Sequence, residues 1–219
     1  TDGALDLPSS VALVDTAAID HREPDIAWKA SLFAVSWTTI DTEEVFLDMV
    51  DPGGTELMIQ EISPTFLVST DSVYWATVAA GLVDVGGGPE DGFALVWSGD
   101  AGGSDRIYGT TVNLESTPVF GPTVTLSAGS AATRPVVSWL EQGSVYVVAW
   151  DDLRAGWPSS DVYISRMTPD ATLLAGSEIV ASDVRPAYDP AIAVQGGNIG
   201  LCWDDGAGQV SFSLLWCTY

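Results

Sequence analysis

Val145–Leu153 reads VYVVAWDDL, an apolar run, mostly β-branched or aromatic, that ends in Trp150 and then turns polar. Three other segments share that form: LFAVSWTTI at Leu32–Ile40, FALVWSGD at Phe93–Asp100 and IGLCWDDG at Ile199–Gly206. Their tryptophans, Trp37, Trp97, Trp150 and Trp203, are separated by 60, 53 and 53 residues, and wrapping from the C-terminus back to Trp37 gives 53 again. A fixed period of this length marks a repeat architecture. Four units tile the 219 residues as a circle, and the longest unit contains the glycine-rich insertion GLVDVGGGPEDG at Gly81–Gly92.

Around each tryptophan run the other runs of the unit fall into register. One precedes it: PDIAW (Pro24–Trp28), SVYWA (Ser72–Ala76), RPVVSW (Arg134–Trp139) and DPAIAV (Asp189–Val194). One follows it: EVFLDMV (Glu44–Val50), DRIYGTTV (Asp105–Val112), DVYISRM (Asp161–Met167) and QVSFSLL (Gln209–Leu215). A fourth run is GTELMIQEIS at 54–63, STPVFGPTVTLS at 116–127 and ATLLAGSEIVAS at 171–182. Its remaining copy is GALDLPSSVAL, Gly3–Leu13, at the N-terminus. Short runs punctuated by Gly, Pro and Asp, with no helical periodicity, predict an all-β fold of four antiparallel strands per unit.

This pattern resembles a β-propeller. The resemblance implies a single domain of four blades, at about 14–64, 65–127, 128–182, and 183–219 together with 1–13. The N-terminal strand is expected to join the C-terminal blade at Val210–Leu215 and close the ring, which leaves no unpaired sheet edge. In the third blade, WDDLRAGWPSSDVYISR (Trp150–Arg166) looks like the W-D-D-x-R…D-x-Y-x-x-R repeat of secreted bacterial propellers. The S-x-D-x-G-x-T-W box of hydrolytic sialidases is absent, and so is the Tyr-Trp-Arg-Phe-Asp type of signature of the haemopexin family.

Composition narrows the function. Thirty Asp and Glu against seven Lys and Arg give a formal charge of −23, which opposes nucleic acid as a partner. No run of about 18 apolar residues offers a membrane span. One histidine, His21, and two cysteines, Cys202 and Cys217, are too few for a His/Cys metal cluster. The Asp-rich, Lys-poor composition fits a secreted or cell-surface protein.

The candidate residues follow from the repeat. Equivalent tryptophans are expected to fill the space between blades. Register matching sets Trp150 opposite Val162 and Trp203 opposite Val210, so Cys202 faces Ser211 and a bond to Cys217 requires the tail to fold back. Asp151, Asp152, Arg154, Asp161 and Arg166 are read as an ion-pair network that ties down a loop. Trp157, in Ala155–Pro158, lies outside the repeat framework and suits either stacking on a sugar or a partner or folding back as a lid on its own blade. The residues before Pro24, Ser72, Pro135 and Pro190 are Glu23, Asp71, Arg134 and Asp189. Repeat geometry gathers them at one mouth of the channel, where Glu23, Asp71 and Asp189 suit calcium and Arg134 a ligand or a self-neutralising pair, and loops on that face add Asp41, Asp100, Asp105, Asp151, Asp152, Asp161, Asp204 and Asp205. On these grounds the sequence favours a non-enzymatic extracellular binding or scaffold propeller that recognises a glycan, a protein or a cation. The alternatives are a glycoside-hydrolase-like propeller and a structural repeat module of a larger surface protein.

Overall fold

The computed structural model describes residues 21–39, 44–53, 56–62, 73–100, 103–115, 118–129, 131–154, 156, 159–174, 178–181 and 186–216. They form four antiparallel sheets in chain order. The first holds β1 (His21–Lys29), β2 (Leu32–Thr39), β3 (Val45–Val50) and β4 (Glu56–Ile62). The second holds β5 (Val73–Val83), β6 (Glu90–Asp100), β7 (Asp105–Asn113) and β8 (Val124–Thr125). The third holds β9 (Ala132–Leu140), β10 (Val145–Asp152), β11 (Asp161–Met167) and β12 (Glu178–Ala181). The fourth holds β13 (Tyr188–Gln195), β14 (Asn198–Asp204) and β15 (Val210–Trp216). No helix among the described residues is long and apolar enough to cross a membrane.

The leading strands pack in succession, β1 on β5, β5 on β9 and β9 on β13. Three apolar clusters fill the joints between sheets. Leu47 and Met49 of the first sheet meet Phe93, Leu95 and Trp97 of the second. Val96 and Ile107 of the second meet Tyr146, Val148 and Trp150 of the third. Val145 and Val147 of the third meet Ile199 and Leu201 of the fourth, with Trp203 packed against them. Each of these tryptophans therefore presses its sheet onto the preceding one. Full burial of a side chain this large supplies much of a joint's apolar area.

The observed register differs by one residue from that read off the sequence. Trp150 pairs with Tyr163 and Trp203 with Ser211, while Cys202 faces Phe212. The cause is an aromatic cross-strand pair, the unit that stabilises such ladders. Trp37 stacks on Phe46, Trp97 on Tyr108 and Trp150 on Tyr163, with ring centroids 5.5, 6.0 and 6.2 Å apart. In the fourth sheet Ser211 takes the aromatic's place.

The glycine-rich insertion turns out to be largely strand. β5 and β6 run through it to Val83 and Glu90, leaving the loop at 84–89. Gly81 permits this lengthening, because a Cβ there lies 2.6 Å from the Tyr146 hydroxyl and 2.7 Å from the Trp139 ring of the third sheet. The proposed closing strand Gly3–Leu13 and Cys217 lie outside the described residues.

Large apolar side chains lie exposed on both end sheets. Ile26 and Trp28 stand on the first, and Val210, Phe212 and Leu214 on the fourth. Their strand neighbours Ala27 and Leu215 pack into the first and third joints. By the two-residue period of a strand, the exposed set faces away from the neighbouring sheet.

Gly81→Ala is expected to cost about 1–3 kcal/mol, as overpacking does. Gly87→Ala, which meets open space, should change stability by less than about 0.5 kcal/mol. Urea unfolding of both variants checks the pair, and equal stabilities would contradict this packing.

Candidate functional site

The ladder between the first and second strands slips once in every sheet, and always opposite the repeat tryptophan. Glu23-Pro24 oppose Trp37, Trp75-Ala76 oppose Trp97, Arg134-Pro135 oppose Trp150 and Asp189-Pro190 oppose Trp203. Two residues against one is a β-bulge, a device that re-aims a side chain. Proline suits the second position because it has no N–H to give to the ladder. The first residue of each bulge has a left-handed backbone: φ is 55° at Glu23, 49° at Trp75, 51° at Arg134 and 48° at Asp189. Such conformations cost roughly 1–3 kcal/mol each in non-glycine residues, and they persist where surrounding structure over-determines them.

These bulges correct the alignment made on the sequence. The second sheet contributes Trp75, not Asp71, to the equivalent position. Ala76 stands where the other three sheets carry proline, so the sequence signal fell four residues early, on Ser72. Asp71 and Trp157 lie outside the described residues.

The four residues are linked from sheet to sheet. The Trp75 backbone N–H donates to Glu23 Oε2 at 2.7 Å, and the Thr38 hydroxyl donates to the same oxygen at 3.2 Å. The Arg134 guanidinium carbon lies 5.0 Å from the centroid of the Trp75 ring. Arg134 Nη1 reaches Asp189 Oδ1 at 3.0 Å and Asp151 Oδ2 at 3.4 Å. Beside this row, Asp25 Oδ2 accepts from the Thr77 hydroxyl at 2.6 Å and the Val78 N–H at 2.9 Å, again across the first joint. Glu23 and Asp189 are thus already engaged. Among the described residues, no three His, Cys, Asp or Glu side chains gather to hold a metal ion.

Asp151 stood in two groupings on the sequence, the loop acids of this mouth and an ion-pair network. It was grouped with Asp152 and Arg154, but strand alternation sends the two aspartates apart. Asp152 is enclosed under Arg154, whose guanidinium carbon lies 3.8 Å from the centroid of the Tyr163 ring, and accepts from the Trp150 indole N–H at 3.3 Å. Asp151 turns to the bulge row, with only 5% of its side chain accessible against 63% for Asp189. Burial lifts Asp151 from the ordinary 3.8 to about 6. The Thr133 hydroxyl, donating at 2.9 Å, and the Arg134 charge offset part of that rise, whereas the Asp189 charge adds to it. A buried acid and an exposed acid therefore share one guanidinium.

Comparisons with known proteins bear on the fold. No family model matches this chain, and no curated protein matches it. Solved structures do. An endo-arabinase from Bacteroides thetaiotaomicron aligns with 90% of this chain and 74% of its own, at 12% identity and a TM-score of 0.53. A neuraminidase-like protein from A/bat/Guatemala aligns with 89% of this chain and 54% of its own, at 12% identity and a TM-score of 0.51. The chain thus spans between about half and three quarters of these structures. The four sheets, packed in sequence order through their leading strands, are those of a β-propeller.

The comparisons also correct the functional expectation. A non-enzymatic binding or scaffold module was expected, but the solved propellers that resemble this chain include an endo-arabinase.

Between pH 3.8 and about 6, folded Asp151 holds a proton that the unfolded chain has released, so this group's contribution to stability falls as pH rises through that window. Asp151→Asn should remove the slope. Urea unfolding at pH 4 and pH 7 should show the parent losing about 2–3 kcal/mol more than the variant. Parallel behaviour would contradict a buried, proton-holding Asp151.

Proposed function

We propose that this protein is a glycoside-hydrolase-like propeller whose reaction is carried by Asp151 and Asp189. The carrying observation is the asymmetry of the pair, with one carboxyl buried and protonated up to about pH 6 and the other exposed beside Arg134. Glycoside hydrolysis needs one carboxylic acid to protonate the leaving oxygen and one carboxylate to serve as nucleophile or to activate water. Environments that push two acids apart in this way separate the roles. Asp151 is the proton donor and Asp189 the carboxylate. Their oxygens lie within 3.4 and 3.0 Å of the same nitrogen, so they are at most 6.4 Å apart. That bound admits the separation of about 5–5.5 Å used by a retaining pair and lies below the roughly 6.5–9.5 Å of an inverting one. A chain with a formal charge of −23 favours neutral glycans over anionic ones.

The test is release of reducing ends from linear arabinan and a panel of neutral oligosaccharides. Activity should fall as pH rises above about 6, where Asp151 loses its proton. Asp151→Asn and Asp189→Asn should each lower kcat at least about 100-fold, the usual contribution of general acid–base groups. Inactivity of the parent on every substrate, or full activity of either variant, would overturn the proposal.

We also propose the finer description of the fold, a four-bladed ring closed by Gly3–Leu13 pairing with β15. Two features support it. The fourth sheet has three strands among the described residues where the others have four, and the apolar faces left exposed belong to the first and last sheets. Each internal joint sets the tryptophan-bearing face of one sheet on its predecessor, and by that rule the first sheet takes the fourth. Deleting residues 1–13 should lower the melting temperature and cause self-association, as an opened edge does. A monomeric truncated protein with an unchanged melting temperature would contradict closure.

A further inference from the structure

We propose that Trp75 is a positioning residue for the acid pair, acting from the second sheet by holding the Arg134 guanidinium between Asp151 and Asp189. This rests on the reading of Asp151 and Asp189 as the reacting carboxyls, but its test does not depend on activity. Three of the four bulge positions carry a charged side chain, namely Glu23, Arg134 and Asp189. The second sheet carries tryptophan there, a bulky residue for which φ of 49° is a severe departure from the preferred backbone.

The ring is held from two directions. Its backbone N–H is bonded to Glu23 of the first sheet. Its edge packs against Tyr74, with centroids 5.0 Å apart and planes at 89°, and the Tyr74 hydroxyl donates to Asp105. A ring fixed in this way gives the Arg134 guanidinium a surface to lie on, and a cation over a tryptophan face is attracted by the negative charge of its π system. Without that surface the partly exposed Arg134 side chain is free to follow the exposed Asp189 into solvent. Asp151 then loses its opposing positive charge.

Besides its own backbone, three neighbouring side chains act on Asp151: Thr133 and Arg134 from β9 and Asp189 from β13. Arg134 is the cation among them, so weakening its hold leaves burial and the Asp189 charge less opposed. Asp151 should then keep its proton to higher pH. Trp75 is uncharged, and its influence on Asp151 has to pass through Arg134.

The experiment is a carboxyl-carbon NMR titration of the full chain, with the Asp151 signal assigned by its loss in Asp151→Asn. The midpoint should rise in the order Trp75→Phe, Trp75→Leu, Arg134→Gln, and by about one unit in the last, as expected for loss of a neighbouring opposite charge. In the Arg134→Gln background, Trp75→Leu should add no shift. If Trp75→Leu fails to fold, Trp75→Phe, whose smaller ring attracts a cation less, carries the test alone. The proposal is overturned by an unmoved midpoint in the Trp75 variants, or by an equal Trp75 shift with and without Arg134. A shift that vanishes without Arg134, in a protein that cleaves no glycan, would support the positioning role and reject the hydrolase.

Discussion

The organising constraint is steric and recurs four times: each repeat tryptophan faces two residues of the leading strand instead of one. The indoles of Trp97, Trp150 and Trp203 fill joints between sheets, and in all four sheets the leading strand bulges opposite the tryptophan. That bulge turns one residue into a left-handed backbone. Without it, strict alternation would carry Glu23, Trp75, Arg134 and Asp189 along the ordinary pleat. With it, each contacts a neighbouring sheet. The same feature therefore serves packing, through the tryptophan, and chemistry, through the residue opposite. Backbone strain at four equivalent sites is sustained by the packing and hydrogen bonds around each bulge.

Electrostatics is local on this strongly acidic chain. Asp151 and Asp152 are sequence neighbours with different fates, because a strand sends successive side chains to opposite faces. Asp152 is matched within its own sheet by Arg154 and the Trp150 indole. Asp151 is matched by Arg134, which Asp189 of the next sheet also engages. One guanidinium divided between two carboxylates offsets the burial of Asp151 only in part, which is why that acid keeps its proton to about pH 6. The reactive character assigned to the site comes from this incomplete compensation.

Much of the architecture was legible because tryptophan is rare and its spacing regular. The four Trp runs located the second strand of every sheet, and their flanking runs located the other strands among the described residues. Register was less legible: the alternation around Trp150 allows either Val162 or Tyr163 as partner, and only ring stacking selects Tyr163. Proline pointed to the bulges in three sheets, and Trp75 was missed where alanine replaces it. Asp151 was placed at that face only as one of eight loop acids. A W-D-D sequence does not show that its first aspartate leaves the loop and meets an arginine on the adjacent strand. Arg134 and Asp189 were expected as neighbours, and Asp151 was not singled out from the other acids as the one that joins them.

The most direct test of the account is a crystal structure of the Asp151→Asn protein soaked with a short linear arabino-oligosaccharide. The account expects a sugar ring at the bulge row, with its glycosidic oxygen facing position 151 and Asp189 on the other side of the bond. Sugar bound elsewhere with the bulge row empty, or Asp189 turned away from a sugar that is bound there, would contradict it.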